Sequence, residues 1–285
     1  MRVAVTGAAG LFGFALVREF SKAYQVTGLT RQIADLTDHE RTRQVLREQR
    51  PDLIIHSAAI RDLDIAEKNP AQAQAVNVDA TRNLAAVARE LNAGFVQIST
   101  DAVFGGGAGR RKPYAETDPV ELTSVYARTK FAAEQIVREL PLHWVFRVSV
   151  LFGPGGENYV QRVIKSVAAG KVTSAPNDQM GSATYTLDAA AKIRELVEAG
   201  RCGLYHLSNT GPCGRDELAR RAVELAGLDV NMIRAVPAAE MQRPAVRPRY
   251  HVMEMRALAE AGFALPRPWR EALAEYVPTV LASAA

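Results

Sequence analysis

A glycine-rich turn lies close to the start of the chain, between a short apolar run and an amphipathic one. The turn reads Gly7-Ala-Ala-Gly10-Leu11-Phe12-Gly13 and separates residues 3–6 from residues 11–23. Glycines let the backbone of such a turn approach a pyrophosphate, and the helix that follows offers free N–H groups and the positive end of its dipole. The motif therefore predicts a strand, a phosphate-binding turn and a helix.

The same alternation of strand and helix continues through the first half of the chain. Predicted strands cover residues 3–6, 25–29, 52–57, 94–99 and 144–149, and predicted helices cover 11–23, 38–49, 71–91 and 124–139. Strands that are apolar throughout, joined by helices, indicate a parallel sheet covered on both faces. The sequence therefore predicts an α/β fold with a Rossmann-type, doubly wound parallel sheet.

The second half has a different character. Prolines cluster near Pro237 and Pro266, and short predicted helices (213–227, 254–261 and 269–277) are separated by loops. We therefore predict a dinucleotide-binding core over residues 1–150, to which some later segments return. A smaller, mostly helical portion over residues 151–285 is expected to bind the substrate.

The residues after the second predicted strand bear on which dinucleotide is bound. NAD sites usually place a carboxylate there for the ribose 2′-hydroxyl, whereas an arginine accommodates a 2′-phosphate. This strand ends in Gly28-Leu-Thr-Arg31, with no acid. Arg31 is therefore a candidate ligand of the 2′-phosphate and favours NADP(H), with NAD(H) as the alternative, and Asp35 and Leu36 are expected near the adenine.

Further candidates follow the third and fourth strands, because ligands bind beyond the carboxyl ends of parallel strands. Ala58, Ala59 and Ile60 should border the cofactor. The fourth strand ends in Ser99-Thr100-Asp101, which places these side chains at the same edge of the sheet.

A tyrosine and a lysine, Tyr126 and Lys130, lie one turn apart on one face of a predicted helix. An ammonium favours the phenolate form of a nearby phenol, whose reference pKa is about 10. Together with Thr100 they can reduce a carbonyl: Tyr126 gives a proton to the nascent alkoxide and Thr100 hydrogen-bonds its oxygen. Lys130 lowers the pKa of Tyr126 and binds the ribose hydroxyls.

Composition and charge exclude several other classes of protein. The net charge is +4 over 285 residues with no long basic run, so no nucleic-acid partner is expected. No apolar run approaches the ~20 residues needed to span a bilayer, and no secretory leader is visible. Two cysteines, far from any histidine cluster, predict free thiols and no metal site. A cytoplasmic, membrane-free protein is expected.

Several blocks, in order and spacing, resemble the extended short-chain dehydrogenase/reductases, and most closely the dTDP-4-dehydrorhamnose reductase-like family. The matching blocks cover nearly the whole chain: Val5-Thr-Gly-Ala-Ala-Gly-Leu-Phe-Gly13, Arg50-Pro-Asp-Leu-Ile-Ile-His-Ser-Ala-Ala59, Asp64-Ile-Ala-Glu67, Val76-Asn-Val-Asp79, Ile98-Ser-Thr-Asp-Ala-Val-Phe104, Tyr126-Ala-Arg-Thr-Lys130, Phe146-Arg-Val-Ser149 and Asn177-Asp-Gln-Met-Gly181. The resemblance implies an NADPH-dependent reduction of a nucleotide-diphospho-4-keto-6-deoxysugar, a catalytic set of Thr100, Tyr126 and Lys130, and a homodimer.

The resemblance also implies substrate-side residues. Asn158 and the Asn177–Gln179 stretch correspond to family positions near the nucleotide-sugar, and Arg247 is a candidate for the pyrophosphate. Ala102 stands where the family commonly has Tyr, and Val150 stands where rhamnose reductases often have Trp. Both positions belong to the sugar side with Asp101, so the departures leave the sugar open.

Two other functions fit the same motifs. One is an epimerase or dehydratase of similar sugars, which retains its cofactor, although such enzymes usually hold NAD and the second strand lacks the acid. The other is a cofactor-binding regulatory subunit that resembles the beta subunit of methionine adenosyltransferase. A NADPH-oxidation assay distinguishes the three.

Overall fold

Strands and helices alternate along the chain, whose computed structural model describes residues 1–107 and 109–282. The last three residues of the predicted second portion, 283–285, lie outside the described residues. The strands are β1 Arg2–Thr6, β2 Gln25–Leu29, β3 Leu53–His56, β4 Gly94–Thr100, β5 His143–Val148, β6 Val150–Phe152, β7 Thr173–Pro176, β8 Met180–Gly181, β9 Ala183–Tyr185, β10 Gly203–Leu207, β11 Cys213–Gly214 and β12 Ile233–Val236. The α-helices are α1 Leu11–Phe20, α2 His39–Gln49, α3 Leu63–Lys68, α4 Pro70–Gln74, α5 Ala80–Leu91, α6 Val125–Arg138, α7 Tyr159–Ala168, α8 Thr186–Glu198, α9 Arg215–Leu225, α10 Arg256–Glu260 and α11 Trp269–Ala282.

A six-stranded parallel sheet organises the molecule, in the order β10-β5-β4-β3-β1-β2. Strands β3 and β4 are buried along their whole length, as expected for a sheet covered on both faces. The strand order reverses between β1 and β3, and a crevice at such a point is where ligands bind in doubly wound sheets. The predicted fold class is confirmed.

Alternate residues of each strand point to opposite faces of the sheet. Val3 and Val5 of β1 pack with α1 and α8, whereas Ala4 between them packs with α2, α5 and α6. This period of two follows from the pleat of a strand. Each face of the sheet is therefore covered by helices from different parts of the chain.

The helix termini follow ordinary capping chemistry. The Asp38 carboxylate accepts the Arg41 N–H at 3.0 Å ahead of α2, and the Ser124 hydroxyl accepts the Ala127 N–H at 3.1 Å ahead of α6. These caps explain why both helices begin where the sequence predicted, to within one residue.

The predicted helix over residues 71–91 is interrupted by a π-turn, Ala75–Asp79. The turn carries Asn77, whose Oδ1 accepts the Ile60 N–H at 2.8 Å and whose Nδ2 donates to Thr129 at 3.0 Å. π-Turns inside helices are frequent at functional sites. Here the turn aims one amide at the loop after β3 and at α6, and so it fixes the two elements relative to each other.

The three helices predicted in the second portion, over residues 213–227, 254–261 and 269–277, are present as α9, α10 and α11, whereas helices α7 and α8 and the short strands were not predicted. Helices α7, α9 and α11 surround a cluster that includes Trp269 and Tyr185, beside three two-stranded sheets. Helix α8 and strand β10 instead return to the central sheet, where β10 pairs with β5 and α8 packs beside α1. These two elements are later segments that pack with the core of residues 1–150.

Candidate active site

The glycine turn opens a cleft at the carboxyl end of β1. Gly7 has φ +66°, and the Gly10 N–H donates to the Gly7 carbonyl at 2.8 Å just before α1 begins. A Cβ atom at Gly13 would lie 2.0 Å from that same carbonyl oxygen, so no side chain fits there. The turn therefore leaves the first N–H groups of α1 open to an anion.

This opening, called the large cleft below, has a volume of about 460 Å³. Every residue predicted to bind the cofactor lines it: Gly7, Gly10, Leu11, Phe12, Gly13, Arg31, Asp35, Leu36, Ala58, Ala59, Ile60, Ser99, Tyr126 and Lys130. The cleft thus runs from the glycine turn past β2 and β3 to α6.

The end of the large cleft after β2 contains Arg31 and Asp35, the one arginine and the one acidic residue that were predicted to bind the cofactor. The Asp35 carboxylate accepts both the N–H and the hydroxyl of Thr37, and these bonds lower the pKa of Asp35. Arg31 is exposed and makes no hydrogen bond or salt bridge to the described residues. Its guanidinium is therefore available to an anionic ligand, whereas the acid is occupied.

Tyr126 lies in the first turn of α6, on the wall that divides the large cleft from a second cavity. Burial raises the pKa of Tyr126 to about 12, and a hydrogen bond from Thr100 only partly opposes that rise. The phenol is therefore protonated at neutral pH. A group in this state can donate a proton but cannot accept one.

Lys130 lies one turn after Tyr126 and is almost completely buried. Its Nζ donates to the Ile98 carbonyl at 2.6 Å, and burial lowers the pKa of Lys130 to about 8 although Glu134 opposes the shift. The prediction that Lys130 brings the pKa of Tyr126 down is wrong, because burial outweighs the influences that favour the phenolate and Lys130 is not among them.

The end of β4 turns its side chains in different directions. The Thr100 hydroxyl accepts the Ala102 N–H at 3.1 Å and lies 3.2 Å from Asp101 Oδ1, at the side of Tyr126. Ser99 donates instead to the buried Glu134 carboxylate. Thr100 is thus placed to act with Tyr126, while the hydroxyl of Ser99 is engaged in the protein interior.

The second cavity, called the side pocket below, has a volume of about 240 Å³ and shares Arg61, Tyr126 and Leu151 with the large cleft. Most predicted substrate-side residues line it: Asp101, Ala102, Val150, Asn158, Gln179 and Arg247. Asn177 does not, because it is exposed and its backbone N–H bonds the Val236 carbonyl between β7 and β12. The prediction for Asn177 therefore finds no support in this geometry.

Two of these side-pocket residues are already occupied by protein partners. The Asn158 amide caps α7 at the Gln161 N–H and donates to the Tyr276 hydroxyl at 2.7 Å. The Arg247 guanidinium makes a two-fold contact with Asp64, at 3.0 and 2.8 Å. Asn158 therefore shapes the wall, and Arg247 offers its charge from a fixed position.

Other residues that line the side pocket were missed: Arg61, Tyr159, Arg162, Arg215 and His251. The Arg215 guanidinium lies 5.1 Å from the centre of the Tyr159 ring and makes no hydrogen bond or salt bridge with residues 1–107 or 109–282. Arg61 directly follows Ile60, a predicted cofactor residue, so its position in the sequence could have indicated that it lies at the site. Arg215 and His251 had no such signal, because only the tertiary fold brings them to Tyr126.

We expect NADPH binding to weaken as the pH rises through about 8, because Lys130 loses its charge there while an exposed lysine would keep it to about 10.5. The unfolded chain keeps the Lys130 proton up to about pH 10.5, so the free energy of unfolding should rise between pH 8 and 10.5. Fluorescence titration of NADPH from pH 7 to 10 measures the loss of NADPH binding. Lys130→Met should bind weakly with no break near 8, and a break near 10 in the unaltered protein would contradict the assignment.

Neither a metal nor a membrane function gains support from the described residues. Within residues 1–107 and 109–282, no three His, Cys, Asp or Glu side chains cluster closely enough to hold a metal ion. No helix in that part of the chain combines the length and apolar character needed to cross a membrane.

Comparison with known proteins gives consistent matches over nearly the whole chain. The RmlD substrate binding domain family matches residues 1–282. A dTDP-4-dehydrorhamnose reductase of Streptomyces griseus is 37% identical over 284 residues, covering 97% of this chain and 93% of that protein. A dTDP-4-keto-6-deoxy-D-glucose reductase of Streptomyces niveus is 35% identical, covering 96% of each. The crystal structure of a dTDP-4-dehydrorhamnose reductase from Bacillus anthracis in complex with NADP superposes with a TM-score of 0.92 at 34% identity, covering 96% of this chain and 98% of that one.

Proposed function

The chain belongs to the RmlD substrate binding domain family of short-chain dehydrogenase/reductases, and from this premise we propose that it reduces the 4-keto group of a dTDP-linked 4-keto-6-deoxysugar with NADPH. One observation carries the proposal. Tyr126, protonated at neutral pH, stands on the wall shared by the large cleft and the side pocket, within hydrogen-bonding reach of Thr100.

The large cleft fits a dinucleotide phosphate. A Cβ at Gly13 would come within 2.0 Å of the Gly7 carbonyl, so the absence of a side chain lets the glycine turn pack closely on α1. The N–H groups at the start of that helix can then receive a pyrophosphate. Arg31 is exposed, makes no hydrogen bond or salt bridge with the described residues, and suits a 2′-phosphate. We propose that Lys130, buried at the other end of the cleft, holds the ribose hydroxyls near the nicotinamide.

The protein's own groups would divide the work of reduction. Bound NADPH supplies a hydride to the carbonyl carbon. Thr100 and Tyr126 hydrogen-bond the carbonyl oxygen, and Tyr126 gives up its phenolic proton there as negative charge develops. The raised pKa of Tyr126 supports this role, because a phenol that keeps its proton at neutral pH is ready to donate it in every turnover.

Arginines of the side pocket support a diphosphate-linked substrate. Arg61, Arg162, Arg215 and Arg247 reach this pocket from four separate segments. Planar guanidinium groups bind phosphate oxygens in pairs of hydrogen bonds. Arg247 is held by Asp64 and Arg162 lies 3.7 Å from Glu157, whereas Arg215 forms no salt bridge and no side-chain hydrogen bond with the described residues. We propose that Arg215 makes the direct contact and that Arg247 adds to the local potential.

The sugar itself is the less constrained half of the substrate. Ala102 and Val150 line the side pocket, and both have small side chains. The resemblance implies that relatives commonly have Tyr at the first position and often have Trp at the second. We propose that Asp101 and Gln179 supply polar contacts there. A pocket with less stacking surface is expected to accept sugars that differ at the carbons flanking the ketone.

A labelling experiment tests the function. The protein would be given dTDP-4-keto-6-deoxyglucose or dTDP-4-dehydrorhamnose with NADPH carrying deuterium on one or the other face of C4. We expect stoichiometric loss of NADPH absorbance and one deuterium at C4 of the sugar from one of the two labelled cofactors. Tight NADPH binding without turnover would favour a regulatory subunit, and product without net NADPH loss would favour an epimerase or dehydratase.

Replacing Arg31 with alanine tests the choice of cofactor. Hydrogen bonds to a charged partner contribute about 1.5–3 kcal/mol, so the Kd of NADPH should rise by roughly 10- to 150-fold while the Kd of NADH stays the same. Fluorescence titration of both cofactors measures the effect. Arg138→Ala, an exposed arginine outside the large cleft, is the matched control. An equal loss for both cofactors would contradict the assignment of Arg31 to the 2′-phosphate.

A homodimer and a cytoplasmic location complete the proposal. The resemblance supports the first, and the need for a compartment that supplies NADPH supports the second. Light scattering on the purified protein and fractionation of its host cells test them separately.

A further inference from the structure

A carboxylate and an imidazole meet at the wall of the side pocket, in a contact that the reduction does not use. Asp101 follows Thr100 directly, and its Oδ2 lies 2.5 Å from Nδ1 of His251, which arrives from the far end of the chain. The Ser149 hydroxyl donates to the same Oδ2. Both side chains of the pair are 10% exposed, and both residues line the side pocket.

The position of the imidazole is fixed on three sides. The backbone N–H of His251 donates to the Met180 carbonyl at 2.8 Å. The ring lies against Gly181 so closely that a Cβ there would come within 2.3 Å of Cε1. With Nδ1 held by Asp101 as well, the ring has no room to rotate away from the pocket.

The partners of the ring determine its protonation pattern. An ionised carboxylate only accepts hydrogen bonds, so Nδ1 must carry a proton. Asp101 is held in that form because His251, Ser149 and Arg215 together outweigh the effect of burial and lower the pKa of the carboxyl group. Nε2 is then the basic nitrogen, and it has no hydrogen-bond partner and is not sealed from solvent within the described residues.

The surrounding groups suit an acid–base role. Tyr126 lies on the other side of Thr100 and is protonated at neutral pH. Arg215 approaches from α9, and the buried Cys213 next to it stays a neutral thiol because burial raises its pKa. The side pocket is thus lined by the oriented Asp101–His251 pair, whose Nε2 is accessible, and by the protonated phenol of Tyr126.

We propose that the Asp101–His251 pair is a second acid–base group of the site, which removes and returns a proton at a carbon next to the carbonyl of the bound ketosugar. The inference rests on the proposed function, since it requires a ketosugar in the side pocket. It adds exchange of a proton at that carbon to carbonyl reduction.

The step is balanced without any further reactant. Nε2 takes the proton from C3 or C5, the electrons of that C–H bond form a carbon–carbon double bond to C4, and the carbonyl electrons move onto oxygen. Thr100 and the Tyr126 O–H hydrogen-bond that oxygen, as they would in the reduction. Return of a proton from Nε2 to carbon restores the ketone, and exchange at Nε2 with solvent replaces hydrogen by deuterium in D₂O.

The test is exchange without reduction. The full-length protein with NADP⁺ and dTDP-4-keto-6-deoxyglucose is incubated in D₂O, and proton NMR follows the C3 and C5 hydrogens. We expect loss of at least one of these signals at a rate 100-fold or more above that in buffer, in line with the roughly 10²- to 10⁴-fold typical of general bases. His251→Asn, whose amide can keep the contact to Asp101 but has no basic nitrogen, should abolish the exchange. His39→Asn, at the start of α2, should not.

Folding and function are separated by parallel measurements. His251→Gln, which places an amide where Nε2 was, should also lose the exchange, and both variants should keep the Kd of NADPH because His251 does not line the large cleft. Exchange at the buffer rate in the unaltered protein overturns the proposal whether or not NADPH is oxidised. Exchange that survives in His251→Asn overturns the assignment to this pair. Exchange without any NADPH oxidation would count against the reductase and not against the pair.

Discussion

Replacement of Tyr126 by phenylalanine will lower kcat by roughly 10²- to 10⁴-fold, the range over which general acid catalysis acts. The variant loses only the phenolic O–H at the junction of the large cleft and the side pocket. Burial holds the pKa of Tyr126 near 12, so this proton is present at every pH at which the enzyme would be assayed. Thr100 and Lys130 do not replace it, because an alcohol O–H is a much weaker acid than a phenol and the Lys130 ammonium donates to the Ile98 carbonyl.

Single-turnover oxidation of NADPH, followed by its near-ultraviolet absorbance, measures the loss without interference from product release. The Kd of NADPH should stay within about twofold, because the ring still lines the cleft. Tyr24→Phe removes a phenolic hydroxyl that bonds Glu198 far from the site and should leave kcat unchanged. If Tyr126→Phe retained more than a tenth of the rate, another group would have to supply the proton.

Replacement of Arg147 by methionine will lower the free energy of unfolding by about 3–5 kcal/mol, the cost of leaving one member of a buried ion pair without its partner. Arg147 on β5 contacts the Glu134 carboxylate on α6 through Nε at 3.0 Å and Nη2 at 2.8 Å, and the two side chains are only 3% and 0% exposed. Ser99 of β4 donates to the same carboxylate. The pair therefore ties the helix that carries Tyr126 to two strands of the sheet.

The chain contains a control pair of the same geometry on its surface. Arg47 contacts Glu90 through Nε and Nη2, both at 2.9 Å, but these side chains are about half exposed. Water and salt screen such a pair, so Arg47→Met should cause a much smaller loss. Urea unfolding followed by circular dichroism compares the two variants. Adding Glu134→Leu to Arg147→Met should recover part of the loss, because the buried carboxylate without its partner is then removed. Similar losses for Arg147→Met and Arg47→Met would contradict the argument.

The local signals in the sequence were sufficient for the central sheet. Apolar strands, the glycine turn and the caps Asp38 and Ser124 each act within a few residues, and the strands and helices built on them lie where predicted to within a few residues. Strand β10 and helix α8 were missed because their roles depend on β5 and α1, which lie far away in sequence. The π-turn at Asn77 was missed because its cause is an amide that bonds two other elements.

The site divides in the same way. Cofactor residues follow strands that sequence patterns reveal, so every one of them lines the large cleft. Substrate-side residues come from loops of the second portion, where adjacency in sequence carries little information about adjacency in space. His251 and Arg215 were therefore missed, and Asn177 was placed at the site although it lies between β7 and β12. The pKa of Tyr126 was predicted in the wrong direction because burial, which the sequence does not measure, outweighs the charges nearby.

The late position of β10 has a consequence for how the protein is made. Until that strand leaves the ribosome, β5 presents an unpaired edge and one face of the sheet lacks α8. At ~5–20 residues per second, synthesis of the intervening segment takes several seconds, during which open strand edges and apolar faces favour aggregation. Nascent chains that stall between β5 and β10 should therefore depend on chaperones, and messages truncated in this interval should yield insoluble protein.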